Sequence, residues 1–349
     1  MQLNSLTEEE LKELMPKYNE KAFRGSQLFN FFHAQKKTDF STGNLPKKLV
    51  EELEKNEEIA SVKIIEEYAS KIDETKKLLF ELGDENIVEG VLMKYKHGYS
   101  QCISTQVGCR MGCVFCASTK GGLVRNLTPA EMLLQVYEVE KKYGIKVSNV
   151  ILMGSGEPLD NYDNVLKFLR LLHDEKGHNT SYRNMTISTC GIADKIIQLA
   201  DENLPITLAI SLHNTNNISR GKIMPINRKY KIEDVISACK YYSEKNSSRI
   251  TFEYTLIHGQ NDNESNALEL KRILSGLNSH INLIPLNPIE EYDEKKPEKF
   301  QIENFKKNLE KLGLNATIRR ELGSDIDASC GQLRRKYKRG VNSEICSSN

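Results

Sequence analysis

From residue 101 onward, six short runs rich in β-branched and apolar residues, at 102–106, 147–153, 185–189, 206–212, 250–256 and 281–286, alternate with longer amphipathic stretches. Short apolar runs bounded by turn residues read as buried strands, and the amphipathic stretches between them as helices. Strand and helix repeated in that order force parallel pairing, because a parallel neighbour is reached only through a crossover. The pattern predicts an α/β fold, an open partial (β/α)6 barrel whose chemistry sits on loops at the carboxyl ends of its strands. Thr128-Pro-Ala-Glu131 marks the start of the first helix, with Thr as N-cap, Pro at N1 and a Glu placed to complete a capping box.

Upstream the character changes. Ser5-Leu-Thr-Glu-Glu-Glu10, Phe23-Arg-Gly-Ser-Gln-Leu-Phe-Asn-Phe-Phe32 and the stretch 45–56 are charged and helix-forming, and they predict an N-terminal helical accessory domain over residues 1–76. Two runs, 77–82 and 87–94, split by Gly83-Asp-Glu-Asn86, read as a β-hairpin within a linker at 77–96. The barrel core then occupies 97–332 and a basic tail 333–349. In that tail Leu333-Arg-Arg-Lys-Tyr-Lys-Arg-Gly340 puts five basic residues around one Tyr. Such a run can grip phosphates and stack a base, although charge runs commonly just solvate a chain end.

Composition narrows the function. With 49 basic and 48 acidic residues the net charge is +1, which disfavours a general polyanion-coating protein and leaves room for a localised basic face. Eight cysteines over 349 residues, four of them between Cys102 and Cys116, fit a reducing compartment where thiols serve metals or chemistry. The start has no basic-then-apolar leader pattern, and no apolar run reaches about 18 residues. The expectation is a cytoplasmic protein without a membrane partner.

The loop after the first expected strand reads Gly108-Cys-Arg-Met-Gly-Cys-Val-Phe-Cys-Ala117 and spaces Cys109, Cys113 and Cys116 as Cys-x3-Cys-x2-Cys. Three thiolates are one too few for a tetrahedral metal. The spacing therefore suits a four-iron four-sulfur (4Fe-4S) cluster with three irons held by the protein and the fourth open to a small molecule. The competing reading is a structural zinc loop completed by His97 or Cys102. Zinc sites, however, usually arrive as two pairs, and the chain has no second Cys-x2-Cys and no His-x3-His.

The segment Cys102-Ile-Ser-Thr-Gln-Val-Gly-Cys-Arg-Met-Gly-Cys-Val-Phe-Cys116, with Arg125-Asn-Leu-Thr128, Ser211-Leu-His213, Met224-Pro-Ile-Asn-Arg-Lys-Tyr230 and Thr317-Ile-Arg-Arg-Glu-Leu-Gly-Ser-Asp-Ile-Asp-Ala-Ser-Cys-Gly-Gln-Leu-Arg334, resembles the RlmN family of the radical S-adenosylmethionine (SAM) superfamily. The resemblance runs over essentially the whole chain. It implies a radical SAM RNA methyltransferase acting on C2 of adenine in 23S rRNA, at the peptidyl-transferase centre, and in tRNA, at the adenine 3′ of the anticodon. It also implies a 4Fe-4S cluster on Cys109, Cys113 and Cys116, two molecules of SAM per turnover, an external one-electron reductant of the flavodoxin or ferredoxin type, and a monomer. Adenine C2 lies between two ring nitrogens and is too electron-poor to attack a methyl sulfonium. A radical route avoids that difficulty, with the cofactor supplying the reactive species and the protein its placement.

Residue by residue, the resemblance assigns SAM contacts to Gly156 and Glu157 in Gly154-Ser-Gly-Glu157, to Ser188, to Ser211, Leu212 and His213, and to Asn287. Taken singly, a Gly-rich turn or a Ser or Asn at a strand end is commonly structural; here they converge on one barrel face. Ser155 stands where the family usually carries Met. Cys330 matches the cysteine that is methylated on sulfur, and whose methyl loses a hydrogen to a deoxyadenosyl radical before adding to C2. Cys102 matches the thiol that then attacks this sulfur, forming a transient disulfide and freeing the product. Glu89 falls where the family places a general base for the C2 proton. Cys190, Cys239 and Cys346 read as packing or tail residues.

The helical domain and the basic tail are the expected RNA-holding elements. The nearest rival is a Cfr-type adenine-C8 rRNA methyltransferase using the same cysteines, against which Arg319-Arg-Glu-Leu-Gly-Ser324 and the 224–230 motif speak. Rivals of other classes are a non-catalytic metal-containing RNA-binding protein and a radical activase for another protein, which would leave Cys102 and Cys330 without roles.

Overall fold

The structure, a computed structural model, describes residues 2–333. All of the expected basic tail beyond Leu333, and Cys346 with it, lies outside the described residues. The N-terminal unit is helical as far as Asn56: α1 (Glu8–Leu14), α2 (Phe23–Phe29) and α3 (Lys47–Asn56). Thr7 caps α1, its hydroxyl oxygen accepting from the Glu10 amide while the Glu10 carboxylate accepts from the Thr7 amide. Two donors that a helix start would leave bare are thereby satisfied. Leu3, Leu11, Leu28, Phe29, Phe32, Leu49 and Leu53 are buried and continuous with the main core.

The expected all-helical character of residues 1–76 fails at β1 (Val62–Ala69), which pairs antiparallel with β2 (Lys76–Leu82). β1 is a sheet edge, where charges such as Lys63, Glu66 and Glu67 guard open backbone and mask the alternation of a strand. β2 and β3 (Ile87–Tyr95) form the expected hairpin, and β4 (Gly98–Cys102) continues antiparallel to β3, with Val91 opposite Cys102. The first barrel strand thus ends at Cys102, where 102–106 was expected. Its sequence, Gly-Tyr-Ser-Gln-Cys, has too few apolar residues to read as a buried strand.

A separate two-stranded ribbon, β5 (Gln106–Gly108) with β6 (Leu123–Asn126), follows. The chain then alternates: α4 (Pro129–Tyr143), β7 (Val147–Leu152), α5 (Tyr162–His173), β8 (Met185–Thr189), α6 (Ala193–Asp201), β9 (Thr207–Ser211), α7 (Asn217–Ile223), α8 (Ile232–Asn246), β10 (Ile250–Leu256), α9 (Glu264–Ile273), β11 (Ser279–Pro285), α10 (Lys299–Lys311) and β12 (Ala316–Ile318). The sheet order is β1-β2-β3-β4-β7-β8-β9-β10-β11-β12, parallel from β4 onward and open at both ends. The six expected parallel strands are all present; β12 adds a seventh, too short to stand out in sequence. Thr128 caps α4 in the expected capping box, and Glu131 also holds Arg125 through two bonds of 2.9 and 2.8 Å.

The helical unit docks on α4: Ser5 Oγ accepts from the Ala130 amide at 3.1 Å, and His33 meets the Tyr137 hydroxyl at 3.3 Å. Among the described residues no helix is long and apolar enough to cross a membrane. Within the unit, α1 and α2 approach so closely that a β-carbon at Gly25 would lie 2.4 Å from the Lys12 backbone nitrogen. Gly25→Ala is expected to lower the unfolding free energy by about 1–3 kcal/mol through overpacking. Gly121→Ala, where nothing lies within 4 Å, should leave it within about 0.5 kcal/mol. Urea denaturation of the two variants checks both.

Candidate active site

The cysteine loop hangs between three elements. The Cys109 amide donates to the Gly122 carbonyl at 3.1 Å, the Val114 amide to the Ile223 carbonyl of α7 at 3.0 Å, and the Ala117 amide to the Gly331 carbonyl at 2.7 Å. Thr119 Oγ1 donates to the Cys113 and Cys116 carbonyls at 3.1 and 2.9 Å. Anchored by these bonds, the loop leaves the thiols of Cys109, Cys113 and Cys116 in the wall of one cavity of about 150 Å³ at the carboxyl ends of the strands. Burial pushes the Cys109 thiol up to about 12 and raises those of Cys113 and Cys116. Thiols that resist ionisation alone require a cation if they are to act as thiolates. Three thiols in the wall of one cavity, spaced Cys-x3-Cys-x2-Cys, fit a 4Fe-4S cluster.

The Gly154–Glu157 turn forms the opposite wall. The Gly154 amide donates to the Ile103 carbonyl, the Ser155 carbonyl accepts from the Thr105 and Gln106 amides, and the Glu157 amide donates to Gln106 Oε1. Gly156 has φ +109°, and a β-carbon there would sit 2.7 Å from the Gln106 β-carbon, so only glycine fits. The Glu157 carboxylate accepts from the Leu159 and Cys190 amides at 3.0 and 2.7 Å, while burial raises its pKa. Ser155 is buried away from the cavity, with its amide bonded to Ser104 Oγ.

Ser188, Ser211, His213 and Asn287 also line the cavity. His213 Nδ1 accepts from the Thr255 amide at 3.0 Å, and burial, with Arg220 adding to it, pushes its pKa down to about 3. The ring is therefore neutral, with its proton on Nε2. Leu212 is the exception among the expected cofactor contacts. Its side chain is fully buried in the core, because alternation turns it away from the face that Ser211 and His213 present.

Asn287 Nδ2 donates to the Cys330 carbonyl at 3.0 Å. Cys330 lines the main cavity and also a second one of about 50 Å³ that contains Cys102. Arg319 borders both, with Nη1 3.4 Å from a Glu253 carboxylate oxygen. Burial raises the Cys330 thiol, and Arg319 offsets part of that rise. Glu89 lines neither cavity. It is buried on β3, its carbonyl accepting from Ser104 Oγ at 2.7 Å, and strand alternation puts it on the sheet face of Val91 and Met93, which line the Cys102 cavity.

Sequence reasoning missed Glu253, Arg319 as a single residue, and Cys190, which lines the cavity rather than only packing. Nothing local distinguishes a strand Glu or a lone Cys from its structural counterparts. Cys239 is a core residue, as expected.

An open parallel barrel with this loop defines a radical SAM protein, and the family model of the Radical SAM superfamily matches residues 103–270. A second model, the ribosomal RNA large subunit methyltransferase N-terminal domain, matches residues 1–59. The chain is 52% identical over 336 residues to a "Probable dual-specificity RNA methyltransferase RlmN" of Lachnoclostridium phytofermentans, covering 96% of this chain and 94% of the relative. Its identity to the protein of the same description from Clostridioides difficile is 49%, over 96% and 98% of the two. The crystal structure of a radical SAM methyltransferase from Sphaerobacter thermophilus superposes with a TM-score of 0.91 at 39% identity, covering 96% of this chain and all of that one. This chain belongs to the RlmN family. Membership brings with it a 4Fe-4S cluster and SAM.

The buried thiols also fix a pH dependence. Burial pushes Cys102 from 9.0 up to about 12. In metal-free protein its contribution to stability is intact below pH 9 and is lost as pH rises toward 12, since the unfolded thiol ionises first, by at most about 1.4 kcal/mol per pH unit. Denaturation midpoints under reducing conditions at increasing pH should fall less steeply for Cys102→Ala than for the native chain.

Proposed function

We propose that this protein is a radical SAM RNA methyltransferase that transfers a methyl group to adenine C2 of large-subunit rRNA, and of tRNA, through methylated Cys330. The observation that carries the reading is the position of Cys330 in the wall shared by the main cavity and the cavity of Cys102. A sulfur there reaches a cofactor on one side and a second thiol on the other. The family supports an RNA substrate, and the RlmN description of the relatives favours C2 over C8.

In this reading Cys109, Cys113 and Cys116 hold the cluster, and Gly156, Glu157, Ser188, Ser211, His213 and Asn287 hold SAM, with Leu212 contributing backbone alone. When bound, the cluster and two SAM molecules per turnover supply the methyl group and the means of activating it, with electrons from an external one-electron reductant. The Glu157 carboxylate suits the ammonium of the methionine moiety. Neutral His213 donates from Nε2 without adding a charge. Cys330 acts as the sulfur nucleophile, and the Arg319 guanidinium beside it favours the thiolate. Cys102 attacks the Cys330 sulfur to release product, and Glu89 takes the C2 proton. The target base must leave its stack to reach Cys330, which costs a few kcal/mol and is least for unpaired nucleotides. The helical unit at the N-terminus and the basic tail are the elements we assign to holding RNA, and the protein acts as a cytoplasmic monomer.

Reconstituted protein given SAM, a reductant and a large-subunit rRNA fragment should yield 2-methyladenosine by mass spectrometry, with product from Cys330→Ala at background. An 8-methyladenosine product, or full turnover by Cys330→Ala, would overturn the reading. Glu89→Gln should retain SAM binding and lose at least about tenfold in rate, in keeping with removal of a general base.

A further inference from the structure

Arg220, on α7, is fully buried. Its guanidinium donates to four oxygens, all neutral: the carbonyls of Leu212 at 3.0 Å, Cys190 at 2.7 Å and Ser211 at 3.1 Å, and the side-chain oxygen of Asn227 at 2.9 Å. Among the described residues no carboxylate forms an ion pair with it. Hydrogen bonds to neutral oxygens occupy four of its five N–H donors but leave its charge unbalanced, and a buried charge without a counter-ion is strongly destabilising. The Glu157 carboxylate bonds the amide of Cys190 and not the guanidinium, so an anion in the adjoining cavity would supply the missing countercharge.

The surroundings show where that anion belongs. Ser211 and Cys190, whose carbonyls bind the guanidinium, line the cavity that holds the thiols of Cys109, Cys113 and Cys116. The same helix is bonded to the cysteine loop, since the Ile223 carbonyl accepts from the Val114 amide, between Cys113 and Cys116. The Arg220 carbonyl accepts from the Met224 amide at 2.7 Å, and Met224 lines the cavity as well. The guanidinium therefore stands one residue behind the cavity wall.

We propose that Arg220 is the built-in countercharge of the 4Fe-4S cluster and biases it toward the reduced state. The proposal rests on the reading that Cys109, Cys113 and Cys116 hold that cluster. A 4Fe-4S core with three thiolates is an anion, and one electron accepted from an external one-electron donor makes it one unit more negative. A fixed cation in a low-dielectric wall favours the more negative state, so it raises the reduction potential. Arg220 is a positioning and tuning residue that touches neither SAM nor the transferred methyl. Its planar fork explains the choice of Arg: one group both ties the ends of β8 and β9 together and carries the charge.

Charge and hydrogen bonding separate in three variants. Arg220→Gln removes the charge, Arg220→Lys keeps it without the fork, and Asn227→Asp leaves Arg220 and its carbonyl bonds in place while neutralising it with a carboxylate. The measurement is the midpoint potential of the anaerobic protein, without RNA or SAM, followed by visible absorption and electron paramagnetic resonance. Arg220→Gln and Asn227→Asp should both shift it to more negative values, about 59 mV for each tenfold loss of bias in a one-electron couple, and Arg220→Lys should restore most of the native value. Potentials equal to native in Arg220→Gln and Asn227→Asp, or equal shifts in Arg220→Lys and Arg220→Gln, would overturn the proposal. If Arg220→Gln fails to retain the cluster, Asn227→Asp alone decides. Failure of the parent reading is distinct, because the native protein itself would then show no cluster signal.

Discussion

Three thiols whose ionisation is opposed by their surroundings set the terms for the rest of the site. A cation beside Cys109, Cys113 and Cys116 would offset the cost of ionising them and make them thiolate ligands. Three of the loop's amides, those of Cys109, Val114 and Ala117, bond outward to Gly122, Ile223 and Gly331. Ribbon, α7 and C-terminal segment are thereby joined at one loop. Metal binding and local folding are coupled in such an arrangement, since ligands that are unstable as free thiolates gain their partner and their geometry together.

The second constraint is the route of the chain after β12. Arg319 enters the cavity from β12, and the segment that follows returns Cys330 to it. The Gly323 amide donates to the Asp73 carboxylate at 3.0 Å, the Ser70 hydroxyl and Lys71 amide donate to Asp325 at 2.7 Å, and Ser118 Oγ donates to the Leu333 carbonyl at 2.8 Å. The turn between β1 and β2 is thus part of the support for Cys330. The antiparallel strands before the barrel are more than a linker, because they carry Asp73 and Asp325's partners to the far edge of the site and put Val91 opposite Cys102.

Much of the barrel was legible in the sequence because buried parallel strands are apolar on both faces and their helices begin with strong caps, as at Thr128. What escaped reading has physical causes. β1 is an edge strand defended by charge, β4 is Gly-Tyr-Ser-Gln-Cys with little apolar content, and β12 has three residues. Within the site, the cysteine spacing and the Gly156 turn were legible because each demands a particular residue type. Arg220 and Glu253 were not, since their importance comes from burial and neighbours rather than from spacing. Leu212 fell next to two cavity residues in sequence, and strand alternation turned it to the core.

The chemistry of this site requires a cluster in the cavity with one iron left open to SAM. Mössbauer spectra of anaerobically purified, iron-57-enriched protein, recorded before and after addition of SAM, test it directly. The account predicts about four irons per chain, one of which changes its parameters when SAM binds. Four irons that ignore SAM, or a single zinc in their place, would contradict it.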